Sequence, residues 1–305
     1  MVDDAGFWIT AAGASGGTRA LISMSGAGLH ALHVGDRAVM PGDTERSRAR
    51  WFSGPTLAPW PNRICDGRWS IAGGDFTSPA NDGLGNALHG LVFDKAFDVV
   101  ERRDDRIVLE YLLGADAAYP WAVRVRVSYV VDADGLACTF GAVNESDARV
   151  PFAIGTHPYF AFDDGCTLTI DAEQGFAVDD RLIPTGAMLG LEAWGAITGE
   201  PFALAGFTAD DCFTGHRRDA LGRAHTVITY PDGASTDVWQ DAAMGYTVVF
   251  VTRDFEWSDG TTHAIAIEPQ TAPTNAFNTG TSLIWLEPGA ECAVQWGITY
   301  RPRPA

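Results

Sequence analysis

The sequence predicts an all-β protein. Three observations support this: 34 glycines and 16 prolines punctuate the 305 residues, short apolar runs alternate with turn signals, and polar and apolar residues recur with a period of two. No long amphipathic helical pattern competes with this reading. Strands separated by turns at short intervals are typical of a sandwich or a barrel.

The clearest alternation runs through Val123-Arg124-Val125-Arg126-Val127 and on to Val131. Apolar odd positions and polar even positions, as far as Val130, predict a half-buried strand with its two arginines on the solvated face. Further strands are predicted by similar alternation in residues 106–112, 167–170, 226–230 and 292–298.

The chain is long enough for one large β domain or two ordinary ones. Because no linker, long charge block or repeat divides it, we expect a single domain over residues 1–305. The stretch from Arg46 to Asn86 is irregular and rich in Pro, Gly, Trp and Asn. Long loops of this kind are usually functional, so ligand contacts are expected there.

A formal net charge of −18 opposes binding to DNA or RNA, which requires clustered Lys and Arg. The N-terminus, residues 1–6, is acidic where a secretory signal carries positive charge, and no apolar segment approaches the length of a membrane span. The five cysteines are scattered and are interpreted as buried thiols. A cytoplasmic protein with neither nucleic-acid nor membrane partners is expected.

Two histidines and one glutamate are candidates for proton transfer. His89 precedes Gly90, and His157 precedes Pro158, which favours an extended backbone at His157. Glu268 closes an apolar run in which Ile265 and Ile267 share the opposite face, and Pro269 is predicted to end the strand. Small Ala264 and Ala266 on the glutamate's own face predict open space there. A structural histidine and a glutamate that reaches solvent are the alternatives for these segments taken singly.

The segment Ala58-Pro59-Trp60-Pro61-Asn62-Arg63-Ile64 forms an aromatic loop that presents an amide and a guanidinium. Arg63 has the donors to bind sugar hydroxyls in pairs, and the ring of Trp60 offers a face to C–H groups. An exposed arginine beside a core tryptophan is the alternative.

Four motifs occur in a characteristic order: Pro59-Trp60-Pro61-Asn62-Arg63, Leu88-His89-Gly90, His157-Pro158-Tyr159-Phe160, and Ile267-Glu268-Pro269-Gln270-Thr271 with Asn275-Ala276-Phe277-Asn278. In this order the chain resembles the aldose 1-epimerases, or galactose mutarotases. The segment Asp210-Asp211-Cys212-Phe213 is similar to the acidic ligand loop of that family. Leu91 and Asp211 depart from the pattern, where many relatives have Gly and His.

The resemblance implies a large antiparallel β-sandwich of the galactose mutarotase type, with a monosaccharide in a cleft across one sheet. It also implies that His157 is the general acid on the ring oxygen and Glu268 the general base on the anomeric hydroxyl. Arg63, His89 and Asp210 are the residues implied to hold sugar hydroxyls or the ring oxygen, and Asn62 of the aromatic loop is a further candidate for sugar binding.

Anomer exchange needs one proton removed from O1 and one delivered to the ring oxygen. A glutamate with a pKa of about 4.3 and a histidine with a pKa of about 6.5 are suitably charged between those values. The acidic protein is expected to raise the pKa of His157. We expect no metal or organic cofactor, because the reaction involves no redox change and the sequence lacks a P-loop and paired metal-ligand motifs.

Two other functions remain open. A hexose-phosphate 1-epimerase would use extra cations, for which Arg46, Arg48 and Arg50 are candidates in a basic loop. A non-catalytic carbohydrate-binding or sensor protein would keep the cleft without using the acid–base pair.

Overall fold

Strands make up most of the regular structure in the computed structural model, which describes residues 6–13, 16–71 and 74–303. In chain order they are β1 (Phe7–Ala11), β2 (Thr18–Ile22), β3 (Leu29–Val34), β4 (Arg37–Met40), β5 (Thr56–Leu57), β6 (Arg63–Ile64), β7 (Arg68–Ile71), β8 (Gly74–Thr77), β9 (Ala87–Leu88), β10 (Asp98–Arg102), β11 (Arg106–Leu113), β12 (Val123–Val131), β13 (Gly135–Asn144), β14 (Val150–Phe152), β15 (Gly155–Thr156), β16 (Tyr159–Ala161), β17 (Thr167–Ile170), β18 (Gln174–Val178), β19 (Pro184–Gly190), β20 (Phe202–Ala203), β21 (Asp210–Thr214), β22 (Ala224–Thr229), β23 (Ser235–Gln240), β24 (Tyr246–Thr252), β25 (Ala264–Gln270), β26 (Ile284–Leu286) and β27 (Glu291–Arg301). The helices are α1 (Glu45–Trp51) and α2 (Ala276–Thr279), with 3₁₀ turns at Cys65–Gly67 and Leu191–Trp194. The acidic residues 1–5 lie outside the described residues.

Two large antiparallel sheets form the sandwich. The nine-stranded sheet has the order β10-β11-β12-β13-β27-β23-β22-β17-β20. The eight-stranded sheet has the order β19-β18-β21-β24-β25-β15-β5, and β16 also pairs with β25. Strands β1 to β4 form a further four-stranded sheet. The all-β prediction and the antiparallel sandwich are confirmed.

Alternation along β12 decides which side chains enter the core. One face of the strand is fully buried and carries Val123, Val125, Val127 and Tyr129. Arg126, on the other face, is exposed. Each buried apolar side chain of this kind contributes about 1.5–3 kcal/mol. The half-buried strand predicted over residues 123–131 is therefore confirmed with its bounds.

The stretch from Arg46 to Asn86 is not the long loop that its composition predicts. It holds most of α1, the short strands β5 to β8 and a 3₁₀ turn. Helix α1 begins at an N-cap, Thr44, whose hydroxyl accepts from the backbone N–H of Ser47 at 3.2 Å, and it ends where Phe52 adopts a left-handed conformation. Elements of two to seven residues are too short to show a clear period in the sequence.

Pro269 does not end its strand, as β25 continues to Gln270. The N–H of Ile267 points to Pro158 on the β15–β16 side, so position 269, two residues on, faces the same side. Pairing on that side is interrupted at His157 and Pro158 between β15 and β16. The N–H of Thr271 donates to the carbonyl of Ile154 on the same side, so the hydrogen bonds at Ile267 and Thr271 flank position 269. The strand therefore loses a single ladder donor at Pro269 and continues past it.

All five cysteines are free, but Cys65 and Cys292 are only partly buried. The prediction of buried thiols holds for Cys138, Cys166 and Cys212 and is wrong for the other two, which lie in a surface turn and near the start of β27. Among the described residues, no helix is long and apolar enough to cross a membrane.

Candidate active site

One cavity of about 250 Å³ brings together all six residues that the sequence predicts for the site. It lies on one face of the eight-stranded sheet, and the connecting segments around α1, β6 and β9 form its rim. Its lining consists of Arg50, Trp51, Phe52, Asn62, Arg63, Asn81, Asp82, Leu88, His89, His157, Tyr159, Asp210, Val248, Phe250 and Glu268.

Strand register explains how the floor of the cavity is built. Asp210 on β21 faces Phe250 on β24, which faces Ala266 on β25, which faces Tyr159 on β16. In the next row Val248 faces Glu268. Residues two apart share a face of the sheet, so both rows point into the same space. Ala266 itself is fully buried.

The sequence prediction of open space above the small residues is correct only near Glu268. Beside Ala266 the rings of Tyr159 and Phe250 pack edge to face with centroids 6.3 Å apart. These two large rings occupy the room that the alanine leaves.

Glu268 is a buried carboxyl with 1% of its surface exposed. Its Oε1 lies 3.2 Å from His157 Nε2, and its Oε2 accepts a hydrogen bond from Gln270 Nε2 at 3.0 Å. Burial, followed by the negative charge of Asp210, raises the pKa of Glu268 well above its ordinary value, against the opposing effects of Gln270 and Arg63. The site therefore favours the protonated form of this carboxyl.

His157 is held between two rings. It stacks on Tyr159 with centroids 5.0 Å apart and meets the edge of His89 at 5.1 Å. Burial lowers the pKa of His157 to about 3, a backbone hydrogen bond opposes the shift, and the charge of Arg63 adds to it. The expectation that the acidic protein raises this pKa is wrong, because loss of water and a nearby cation outweigh a distant net charge.

The raised pKa of Glu268 and the lowered pKa of His157 belong to two neighbouring groups that can hold one proton between them. With Glu268 protonated and His157 neutral, neither buried group carries an uncompensated charge. Transfer of that proton across the 3.2 Å contact produces the carboxylate and imidazolium form. The two groups therefore lie close enough to exchange one proton.

Arg63 is anchored on several sides. Its Nε donates to Asp82 Oδ2 at 3.2 Å, its Nη1 donates to Asn62 Oδ1 at 3.3 Å, and its Nη2 lies 3.6 Å from Asp210 Oδ2. Burial raises the pKa of Asp210, while Arg63 opposes the shift and Asp211 adds to it. A guanidinium fixed in this way presents donors to a polyol at little entropic cost.

Asn62 and His89 share an unusual backbone conformation. Both have positive φ values, 54° and 66°, which cost a non-glycine residue about 1–2 kcal/mol. The N–H of His89 donates to the carbonyl of Asn62 at 2.9 Å and so ties the two segments together. Burial, His157 and Arg63 lower the pKa of His89 well below its ordinary value, so its ring is neutral.

Two glycines near the site allow close approach of neighbouring segments. At Gly90 a Cβ would lie 2.2 Å from the carbonyl oxygen of Ala58, and φ is +75°. At Gly155 a Cβ would lie 2.9 Å from Cγ of Gln270. A side chain at Gly90 would push the segment that carries His89 away from Ala58, and one at Gly155 would press against the strand that carries Glu268.

Trp60 does not form part of the cavity. Only 2% of its surface is exposed, and it packs against Phe277 with centroids 5.5 Å apart. The prediction that it offers a face to the sugar is therefore wrong. Trp51, Phe52, Tyr159 and Phe250 supply the aromatic walls instead.

Sequence reasoning missed Asp82, Asn81 and Gln270. The period of two along β25 places Gln270 on the same face as Glu268, which is a signal that the sequence contains. Asp82 lies in an Asn-Asp-Gly turn, and such turns usually occur at the surface. No local signal identifies it as the partner of Arg63.

The fold is that of the galactose mutarotase-like proteins. The chain belongs to the aldose 1-epimerase family, whose sequence profile matches residues 10–299.

One curated relative matches most of the chain, and another matches less than half of it. An uncharacterized protein of Escherichia coli, YihR, is 27% identical over an alignment of 293 residues that covers 90% of this chain and 88% of that protein. Mouse galactose mutarotase is 28% identical over an alignment of 143 residues that covers 43% of this chain and 40% of that protein. The two relatives thus differ in how much of the chain they match.

Solved structures share the fold at low identity. A GalM/aldose epimerase homologue from Caenorhabditis elegans has a TM-score of 0.85 and 19% identity, with 98% of this chain and all of that chain covered. Galactose 1-epimerase from Lactobacillus acidophilus has a TM-score of 0.79 and 16% identity, with 97% and 94% covered. At such identities the likeness extends to the fold alone.

Proposed function

We propose that the protein is an aldose 1-epimerase that interconverts the α and β anomers of a free aldose. The observation that carries the proposal is the 3.2 Å contact between His157 Nε2 and Glu268 Oε1 in a cavity also lined by Arg63, His89 and Asp210. Family membership supports the same reaction class.

The reaction needs two opposed proton transfers. Glu268 as carboxylate removes the proton of the anomeric hydroxyl, C1–O5 breaks as C1=O forms, and His157 as imidazolium protonates O5. Rotation about C1–C2 exposes the other face of the aldehyde. Attack by O5 then closes the ring while the two protons return, so both groups recover their starting states without a net change in protons.

The roles of the remaining residues follow from their chemistry. Arg63 donates to hydroxyls or the ring oxygen, Asp210 accepts from hydroxyls, and neutral His89 offers one donor and one acceptor. Asn62 holds Arg63 through its side-chain oxygen. The aromatic walls exclude water and strengthen each polar contact.

Polarimetry tests the proposal directly. The rate of anomer equilibration is measured for fresh α-D-glucose, α-D-galactose and several pentoses, with wild type and Glu268→Gln side by side. We expect acceleration by the wild type and a loss of about 10²–10⁴-fold in the variant. Glu145→Gln, which removes a carboxylate paired with Arg124 away from the cavity, is the matched control and should retain full activity.

A phosphosugar substrate is the second candidate, because Arg50 lines the same cavity as Arg63. The predicted basic loop is helix α1, in which Arg46 and Arg48 contact Glu256 and Asp43 and do not line this cavity. Arg50 is already engaged, at 2.6 Å from Asp254 and 4.4 Å above the ring of Trp51. These contacts favour the neutral sugar.

Charge reversal separates the two substrates. If sugar phosphates alone are accelerated and Arg50→Glu abolishes their turnover while Arg46→Glu does not, the phosphosugar reaction replaces our proposal. Binding of a sugar without any acceleration would instead indicate the non-catalytic carbohydrate-binding function.

A further inference from the structure

The turn after β8 contains a carboxylate whose two oxygens have different tasks. Asp82 Oδ1 accepts from the backbone N–H groups of Leu84 at 2.8 Å and Asn86 at 2.9 Å. Asp82 Oδ2 accepts from Asn86 Nδ2 at 2.8 Å and from Arg63 Nε at 3.2 Å. One oxygen therefore shapes the turn, and the other faces the cation of the site.

The side chain of Asp82 is almost completely enclosed, with 1% exposed, whereas the residue as a whole is half-buried. Burial acts to raise its pKa, but the hydrogen bonds from Asn86 and Leu84 and the charge of Arg63 outweigh this effect and leave the pKa below its ordinary value. The carboxylate stays ionised beside Arg63. A charged group that is buried and fully hydrogen-bonded sets the position of its partner firmly.

The turn is also held from outside. Arg181, in the hairpin between β18 and β19, donates through Nε to the carbonyl of Leu84 at 3.0 Å and through Nη2 to Asn86 Oδ1 at 2.8 Å. Asn86 Nδ2 donates in return to the carbonyl of Arg181 at 3.1 Å. A continuous chain of contacts thus runs from Arg181 through Asn86 and Asp82 to Arg63.

We propose that Asp82 is a positioning residue that aims the Arg63 guanidinium at the substrate, and that Arg181 supports the turn that carries it. This inference rests on the proposed function, in which Arg63 binds the sugar. With Nε bound to Asp82, the guanidinium cannot swing away from the cavity, and its terminal nitrogens stay beside Asn62, Asp210 and the ligand space.

The chain offers a matched control, because the same turn occurs at Asp219. Asp219 Oδ1 accepts from the N–H groups of Leu221 at 2.8 Å and Arg223 at 2.9 Å, the same two offsets as at Asp82. Its Oδ2 lies 3.2 Å from His225 Nε2, and neither residue lines the cavity. Asp→Asn at both positions removes one carboxylate from equivalent turns, and only one of them contacts Arg63.

The test is a double-mutant cycle in the polarimetric assay. Asp82→Asn keeps one oxygen for the turn amides and places an NH₂ group where Arg63 Nε needs an acceptor. We expect KM to rise about tenfold to hundredfold with a much smaller change in kcat, because misdirected binding weakens ground state and transition state alike. In the Arg63→Ala background the same substitution should change kcat/KM by less than about twofold. Asp219→Asn should leave KM unchanged in both backgrounds.

Two results would overturn the inference: a KM for Asp82→Asn equal to that of wild type while Arg63→Ala raises it, or an equally large effect of Asp82→Asn with and without Arg63. If Asp82→Asn does not fold, Arg181→Gln provides a second test of the positioning role. It should raise KM by a smaller factor, and this effect should also disappear in the Arg63→Ala background.

Failure of the proposed function gives a different pattern. A wild type that accelerates no sugar refutes the catalytic proposal, and the cycle is then measured on Kd for the same sugars by calorimetry. Non-additive losses of binding would still support the positioning role, whereas absence of sugar binding to wild type overturns both.

Discussion

Two histidine–carboxylate pairs lie in different parts of the sandwich and respond to their surroundings in opposite ways. In the cavity, His157 Nε2 is 3.2 Å from Glu268 Oε1, and on the nine-stranded sheet His225 Nδ1 is 3.0 Å from Asp237 Oδ1. Burial lowers the pKa of His157, whereas hydrogen bonds to Asp237 and Asp219 raise the pKa of His225 despite its partial burial.

The difference lies in solvent access and in the other charges nearby. The side chain of His157 is 7% exposed and that of His225 is 22% exposed. A second carboxylate, Asp219, approaches His225 to 3.2 Å, whereas the charge that acts on His157 is the cation Arg63. Hence the surroundings favour the charged imidazole at His225 and the neutral imidazole at His157.

The largest expected effect separates these pairs by activity. His157→Ala should lower kcat/KM for mutarotation by about 10²–10⁴-fold, because one of the two proton-transfer groups is lost. His225→Ala, a matched removal of an imidazole from a carboxylate, should leave the rate within about twofold. Near-wild-type activity in His157→Ala, with folding confirmed by circular dichroism, would remove His157 from the mechanism.

A pH profile measures the coupling of the cavity pair. The active form carries one proton on the pair, so activity falls at low pH when His157 also protonates and at high pH when Glu268 loses the shared proton. Because burial lowers the first pKa to about 3 and raises the second, we expect kcat/KM to persist down to about pH 4. Limbs near the unperturbed values of about 4.3 and 6.5 would show that the pair is not coupled in this way.

Substitutions of the two histidines should change the pH dependence of Tm in opposite directions, and these effects should be smaller than the effect on activity. The raised folded-state pKa of His225 contributes stability that is present below the unfolded pKa of about 6.5 and is lost as pH rises through the folded pKa. His225→Gln should therefore lower Tm by about 1–3 °C more near pH 5.5 than near pH 8.5.

His157→Gln provides the contrast in the same melts. A lowered folded-state pKa destabilises the fold as pH falls below the unfolded value, so the variant should compare better with wild type near pH 5.5 than near pH 8.5. Equal pH slopes for the two variants would contradict the opposite assignments.

Much of the cavity lining was predictable because the motifs that carry its residues occur in a characteristic order along the chain. His157, Glu268, Arg63, His89, Asp210 and Asn62 all line the one cavity. The role of Asp82 was not predictable from the sequence, because Asp179 and Asp219 form turns of the same type. Only the approach of Arg63, 19 positions earlier, distinguishes it.

Sequence alone determined the β architecture, because side chains alternate with a period of two and burial must follow that period, as along Val123–Val131. It also determined which residue types were available for acid–base chemistry. Tertiary structure decided the protonation of His157 and the conformation of residues 46–86. Loss of water around an imidazole depends on walls drawn from α1, β16 and β24 and on the cation Arg63, whose proximity in space no local pattern encodes.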